Sequence, residues 1–201
     1  MRIAFFGLPL AALALVEDGH DVTLAAICRK NAPGTRRLRR KLGEERVLVR
    51  PPIVGPKFEA RILEANPDLI VSWFWTTKIP ESIVCVAPLG GFGVHPSLLP
   101  RWRGPDPFFW AIDAGDTVTG VTAHRIADSY DTGAMLGRRT LPIDPTWDGW
   151  ALARALDRPS LVLLRKIALD SSHGNPPPEE AQDESQTTRA PTPNDDVLEI
   201  D

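Results

Sequence analysis

The sequence predicts an α/β fold, a mostly parallel sheet flanked by helices, from three observations. Short apolar runs alternate with stretches of helical spacing, Gly, Pro and Asn separate them, and the first cycle reads strand, helix, strand. Such a cycle implies a right-handed crossover between parallel strands. The 201 residues, 43% of them apolar, suit one domain with a sizeable core, or one domain and a tail.

Residues 2–6 form the first apolar run, ended by Gly7 and Pro9, and residues 10–16 continue as helix. Glu17, Asp18 and His20 end this run too early for a membrane span, and no long basic leader precedes it. Residues 21–28, rich in Val, Leu, Ile and Ala, read as the second strand. Phe58, Ile62 and Leu63 give residues 57–65 helical spacing, Asn66-Pro67 stops that helix, and residues 68–73 follow as a buried strand. Residues 80–86 hold a short helix with Glu81 in its first turn, and Gly93 and Val94 end the next strand. His95 then lies where strands of open α/β sheets present their ligands.

Phe108, Phe109 and Trp110 form one buried face of a helix after Gly104-Pro105. Residues 117–126 and 135–143 complete the sheet as strands that are not all parallel, which makes the fold a modified Rossmann-like one. Residues 147–169 are helical, with Leu152, Leu156, Leu161, Leu164, Ile167 and Leu169 apolar, and Pro159 is expected to break or kink them. From residue 171 the chain turns acidic and Pro-rich. A folded unit over residues 1–170 is therefore expected, with residues 171–201 an extended or disordered tail that adds no core and is dispensable for folding.

Cys28 and Cys85 each sit in an apolar run where a buried thiol is the default, they form no metal-ligand cluster, and a reducing cytoplasm suits them. Gly7 with Pro9 is too sparse for a dinucleotide loop, so no NAD is expected; no metal, membrane or DNA partner is expected either. The strongest charge feature is Arg29, Lys30, Arg36, Arg37, Arg39, Arg40, Lys41, Arg46 and Arg50. This segment is either a phosphate-neutralising surface, for tRNA, a nucleotide sugar, a phosphopantetheine arm or a folate glutamate tail, or a solvated helix face balanced by Glu44 and Glu45.

Val94-His95-Pro96-Ser97-Leu98-Leu99-Pro100 and the later Tyr130-Asp131-Thr132-Gly133 supply a histidine and a carboxylate on turns between apolar strands. An aspartate that orients an imidazole and stabilises its charged form makes it a proton shuttle near neutral pH. Taken alone, Asp131 reads as a turn residue and Ser97 as a cap or brace of its turn. Ser72-Trp73-Phe74-Trp75 reads first as core or lid packing.

Residues 95–104 and 120–136 resemble the signature of the 10-formyltetrahydrofolate-dependent formyltransferases, especially the methionyl-tRNA formyltransferase branch. The resemblance implies formyl transfer from 10-formyltetrahydrofolate to an amine, either small, carrier-bound or on methionyl-tRNA. It implies His95 as proton-transfer group and Asp131 as the residue that orients it. It further implies donor contacts at Trp75, Ile79, Ser129, Tyr130 and Asp131, and substrate-side contacts at Ser97, Arg103 and Gly104. The basic segment falls where tRNA-acting members carry an RNA-touching insertion. Gln182-Asp183-Glu184-Ser185, Thr188-Arg189-Ala190-Pro191 and residues 196–201 resemble the connector to a C-terminal barrel domain.

One position departs from the pattern. The family reads Asn-x-His, whereas this chain reads Gly93-Val94-His95. Amine attack puts negative charge on the formyl oxygen, and loss of one fixed donor to such an oxygen costs on the order of 10²–10³ in kcat. Either a backbone N–H, a water or protonated His95 covers that oxygen, or catalysis is lost. A folate-binding homologue without turnover and a formyl-folate hydrolase therefore stay open beside the transferase.

Overall fold

Ile3, Ala4, Phe5 and Phe6 are all fully buried, because their strand, Arg2–Gly7 (β1), is covered on both faces. In the computed structural model, which describes residues 1–191, β1 is followed by Pro9–Glu17 (α1), Asp21–Ile27 (β2), Thr35–Leu42 (α2) and Val47–Val49 (β3). Pro56–Ala65 (α3), Leu69–Trp73 (β4), Glu81–Val84 (α4), Gly91–His95 (β5) and Pro107–Asp113 (α5) come next. Val118–Arg125 (β6), Met135–Pro142 (β7) and Gly149–Ser172 (α6) complete the order. The sheet runs β3-β2-β1-β4-β5-β6-β7. Its first five strands are parallel, and β6 and β7 are antiparallel to their neighbours, as the sequence predicts. The carboxyl ends of the parallel strands, from Ile27 to His95, thus share one edge of the sheet.

Alternate side chains of each strand enter opposite layers. Ile3, Phe5 and Val71 join Ala12 and Leu15 of α1 and Leu152, Leu156, Leu164 and Ile167 of α6. Ala4, Phe6 and Ile70 join Phe58 and Ile62 of α3 and Ile83 of α4. Each fully buried Ile or Phe contributes about 1.5–3 kcal/mol, so burial on two faces outweighs any single local preference.

Pro159 illustrates this. The sequence leads one to expect a break or a kink there, and of the two the break does not occur, since α6 continues from Gly149 to Ser172. Leu152 and Leu156 before the proline and Leu163, Leu164 and Ile167 after it are buried along the helix, which offsets a penalty of about 3 kcal/mol. Ser160 secures the same turn: its hydroxyl donates to the Asp157 carbonyl (2.7 Å) and accepts from Trp73 Nε1 (2.9 Å).

Three further departures have local causes. The three-residue β3 is too short to read as periodicity, and it joins the sheet by pairing with β2. Cys28 is half-buried, with Sγ 3.3 Å from the Phe74 carbonyl oxygen, but Cys85 is exposed where α4 ends. The largest departure is the tail. Residues 179–190 form a strap from the start of β7 to the turn beyond β5, bridging Met135 to Glu180 and Arg103 to Arg189 and burying Ala190. These polar residues order because they find fixed polar partners around the site rather than an apolar core. The expected connector at residues 196–201 lies outside the described residues.

Candidate active site

His95 ends β5 with 7% of its surface exposed. The turn beyond it is clamped to β6: Thr122 Oγ1 donates to the Ser97 carbonyl (2.8 Å) and accepts from Leu99 N–H (3.0 Å). Ser97 itself is fully buried and its hydroxyl donates to the Arg101 carbonyl (2.7 Å). This bond makes Ser97 a brace of its turn.

The two ring nitrogens of His95 face different oxygens. Nε2 lies 2.8 Å from the Trp102 carbonyl, which fixes a proton there, and Nδ1 lies 3.5 Å from Asp131 Oδ1. Nδ1 is therefore the ring nitrogen that stands beside a carboxylate. Asp131 sits in the left-handed region (φ 58°), and its Oδ2 accepts from Gly104 N–H at 2.9 Å. Gly104 thus acts through its main chain, as an anchor of Asp131. Gly133 closes the same turn so tightly that a Cβ there would stand 1.9 Å from the Arg125 carbonyl oxygen.

A second imidazole reaches Asp131. His124 Nε2 is 3.5 Å from Oδ1, while its Nδ1 donates to the Arg125 carbonyl (2.9 Å). Burial, opposed by the Asp131 charge, pushes His124 below the ordinary histidine value. The sequence reading missed this residue. Its signal was a histidine in an alternating apolar strand, two positions from Thr122 and on the same face.

The other expected site residues divide. Ile79 is 5% exposed and belongs to the core, so its side chain anchors its loop instead of facing a donor. Trp75 packs edge-on against Phe6 (5.4 Å between centroids), with its buried Nε1–H unpartnered among the described residues. Lys78 Nζ meets Asp128 Oδ1 at 2.6 Å, which ties the Trp75–Ile79 loop to the loop holding exposed Ser129 and Tyr130. Arg103 is 2% exposed, and its guanidinium is taken up by Gln182 and by both oxygens of Glu184, on the strap side.

In the basic segment, Arg37 pairs with Glu17, Arg39 with Glu44 and Arg46 with Asp21. Among the described residues Glu44 thus balances one arginine. Arg36, Arg40 and Lys41 are exposed without an acidic partner among the described residues. Lys30, Arg36 and Arg39 line a surface cleft with Val49, which ends β3 on the His95 edge of the sheet.

Residues 14–163 match the family described as formyl transferase. The chain belongs to the formyl transferase family. It is 31% identical over 204 residues to the methionyl-tRNA formyltransferase of Acidobacterium capsulatum, covering 95% of this chain and 65% of that one. The corresponding protein of Pseudomonas fluorescens is 32% identical, over 100% of this chain and 67% of its own. The chain thus spans about 65% of the length of the first of these relatives. Among solved structures, the phosphoribosylglycinamide formyltransferase of Bacillus halodurans superposes with a TM-score of 0.70 at 23% identity, over 85% of this chain and 97% of that one. HypX of Aquifex aeolicus, solved with tetrahydrofolic acid, gives a TM-score of 0.71 at 21% identity, over 100% of this chain and 31% of its own. These structural likenesses establish the Rossmann-like formyltransferase fold. Within it, this formyl transferase family member carries its glycine at position 93 directly opposite His124 in the β5–β6 ladder.

Proposed function

We propose that this chain transfers a formyl group from 10-formyltetrahydrofolate to an amine, with His95 as the proton-transfer group. The apposition of His95 Nδ1 and Asp131 Oδ1 in a formyl transferase family chain carries this reading. Asp131 orients the imidazole on its reactive side, while the Trp102 carbonyl fixes the other nitrogen.

The donor would supply an activated formyl carbon and a nitrogen leaving group. The residues present suit it. The unpartnered Trp75 N–H and the main-chain groups around Ser129 and Tyr130 lie on two loops joined by Lys78 and Asp128, and such groups match the acceptor-rich edge of a flat heterocycle. The acceptor amine belongs to a small molecule, a carrier or methionyl-tRNA. The unpaired Arg36, Arg40 and Lys41, beside a cleft on the His95 edge, favour an acceptor that carries phosphate.

The deciding experiment measures release of deformylated folate from a stable 10-formyl-folate analogue, with and without an amine panel that includes methionyl-tRNA. Amine-dependent release that His95→Ala abolishes is the expected result. Release without any amine would make the protein a hydrolase, and donor binding without release under any acceptor would make it a folate-binding homologue.

A further inference from the structure

The strap crosses the site at one residue in particular. Gln182 uses both faces of its amide. Its Nε2 donates to the carbonyls of Asp131 and Gly133, each at 2.8 Å, and its Oε1 accepts from Arg103 Nε (3.0 Å) and Nη2 (2.7 Å). No donor or acceptor position of that side chain is left idle. Arg103 lies between Trp102, whose carbonyl holds His95 Nε2, and Gly104, whose N–H holds Asp131 Oδ2. It is also pinned by its main chain, from Arg103 N–H to the Thr188 carbonyl (3.0 Å) and from Ala190 N–H to the Arg103 carbonyl (2.7 Å).

Asp131 needs such support. A non-glycine residue in the left-handed region is disfavoured, and the turn from Asp131 to Gly133 offers carbonyls that require donors. The two amide bonds from Gln182 hold it there. The contact is therefore to the main chain of the aspartate, and its consequence falls on where the carboxylate points.

We propose that Gln182 is a positioning residue for the His95–Asp131 pair, locking the Asp131 turn and the Trp102–Gly104 segment into one unit from the strap. The proposal rests on the reading of that pair as the reacting groups. It makes residues 179–190 a working part of the site and removes them from the class of linker.

The test uses the full chain with Gln182→Met, which deletes all four bonds at similar length, and Gln182→Glu, which keeps the acceptor for Arg103 and turns an oxygen toward the two carbonyls. The primary readout is the imidazole titration of the four histidines, His20, His95, His124 and His173, followed by NMR and assigned with single His→Asn variants. In whichever variants are folded, His95 and His124 are expected to change proton affinity by about threefold or more, half a pH unit, while His20 and His173 stay in place. Where the wild type transfers formyl groups, kcat is expected to fall about tenfold with the donor KM unchanged, since a misplacement near 1 Å costs up to about 10²-fold.

Unchanged titration of His95 and His124, or equal movement of all four histidines, overturns the proposal. So does a kcat within twofold of an active wild type. An inactive wild type refutes the proposed function alone, because the titration is read without turnover.

Discussion

Gly93 and His124 stand directly opposite each other on neighbouring antiparallel strands, so the imidazole projects on the face where a side chain at position 93 would project. The formyltransferase pattern has an asparagine at 93. Here the nearest atoms a Cβ would meet are those of Ser72, at 3.5–3.9 Å, which is ordinary van der Waals contact.

Gly93→Asn is therefore expected to fold, with a melting temperature equal to or above that of the wild type, because glycine weakens a strand interior by about 0.5–1 kcal/mol. If the amide is the missing donor to the formyl oxygen, kcat should rise by about 10²-fold or more. Steady-state kinetics beside a thermal melt would settle this; a folded, donor-binding variant with unchanged kcat would count against the missing amide as the defect.

With the ring transferring the proton as proposed, His95→Ala should lower kcat by about 10²–10⁴ while leaving donor affinity nearly intact. Asp131→Asn keeps an acceptor for Gly104 N–H but removes the charge beside Nδ1, and should cost about 10² in kcat. Equal losses in donor affinity would show that either residue serves binding instead.

Stability should decline as pH falls below about 6.5, the ordinary histidine value. His124 and His20 are both held below that value, chiefly by burial. Above it neither the folded nor the unfolded chain protonates them. Below it the unfolded chain gains protons that the folded chain resists, so stability is lost as pH falls from there to the depressed folded values, by at most about 1.4 kcal/mol per pH unit for each histidine. Urea unfolding at pH 7 and pH 5.5 should show this slope, and His124→Asn should reduce it; an identical slope in that variant would remove His124 from the explanation.

Ending the chain at residue 178 strips Arg103 of Gln182 and Glu184 and leaves its guanidinium without a side-chain partner. The melting temperature should fall by at least about 4 °C, the equivalent of 1–2 kcal/mol for a domain of this size. A truncated protein that melts with the full chain would restore the dispensable tail that composition suggests.

Arg36→Glu with Arg40→Glu should weaken binding of a tRNA acceptor and shallow its salt dependence by about one unit of slope for each phosphate no longer neutralised. Titrations of methionyl-tRNA at several salt concentrations measure both quantities. An unchanged slope would return α2 to a solvated face.

Most elements were legible because they rest on local repetition. The apolar runs of β1, β2 and β4 and the helical spacing of Phe58 and Ile62 survive in the structure with bounds shifted by a residue or so. His95 at the end of β5 was legible for the same reason, as was the antiparallel turn of the last two strands. At Pro159 the local rule allowed a break or a kink, and burial on both sides of the proline kept the helix unbroken. His124 was hidden because no local pattern distinguishes a core histidine from one that faces a carboxylate.

The sequence by itself determined most of the strands and helices though not α2 or β3, the strand end that carries His95, and the family through residues 95–104 and 120–136. Periodicity and short motifs encode these, since both act over a few residues. Only the tertiary structure decided that Asp131 stands between two imidazoles, that Ser97 and Arg103 face inward, and that residues 179–190 close over the site. Most of those pairings join distant positions of chain, from 7 apart for His124 and Asp131 to 86 apart for Arg103 and Arg189. A buried polar group must find a partner wherever the fold brings one, and that choice is made in space.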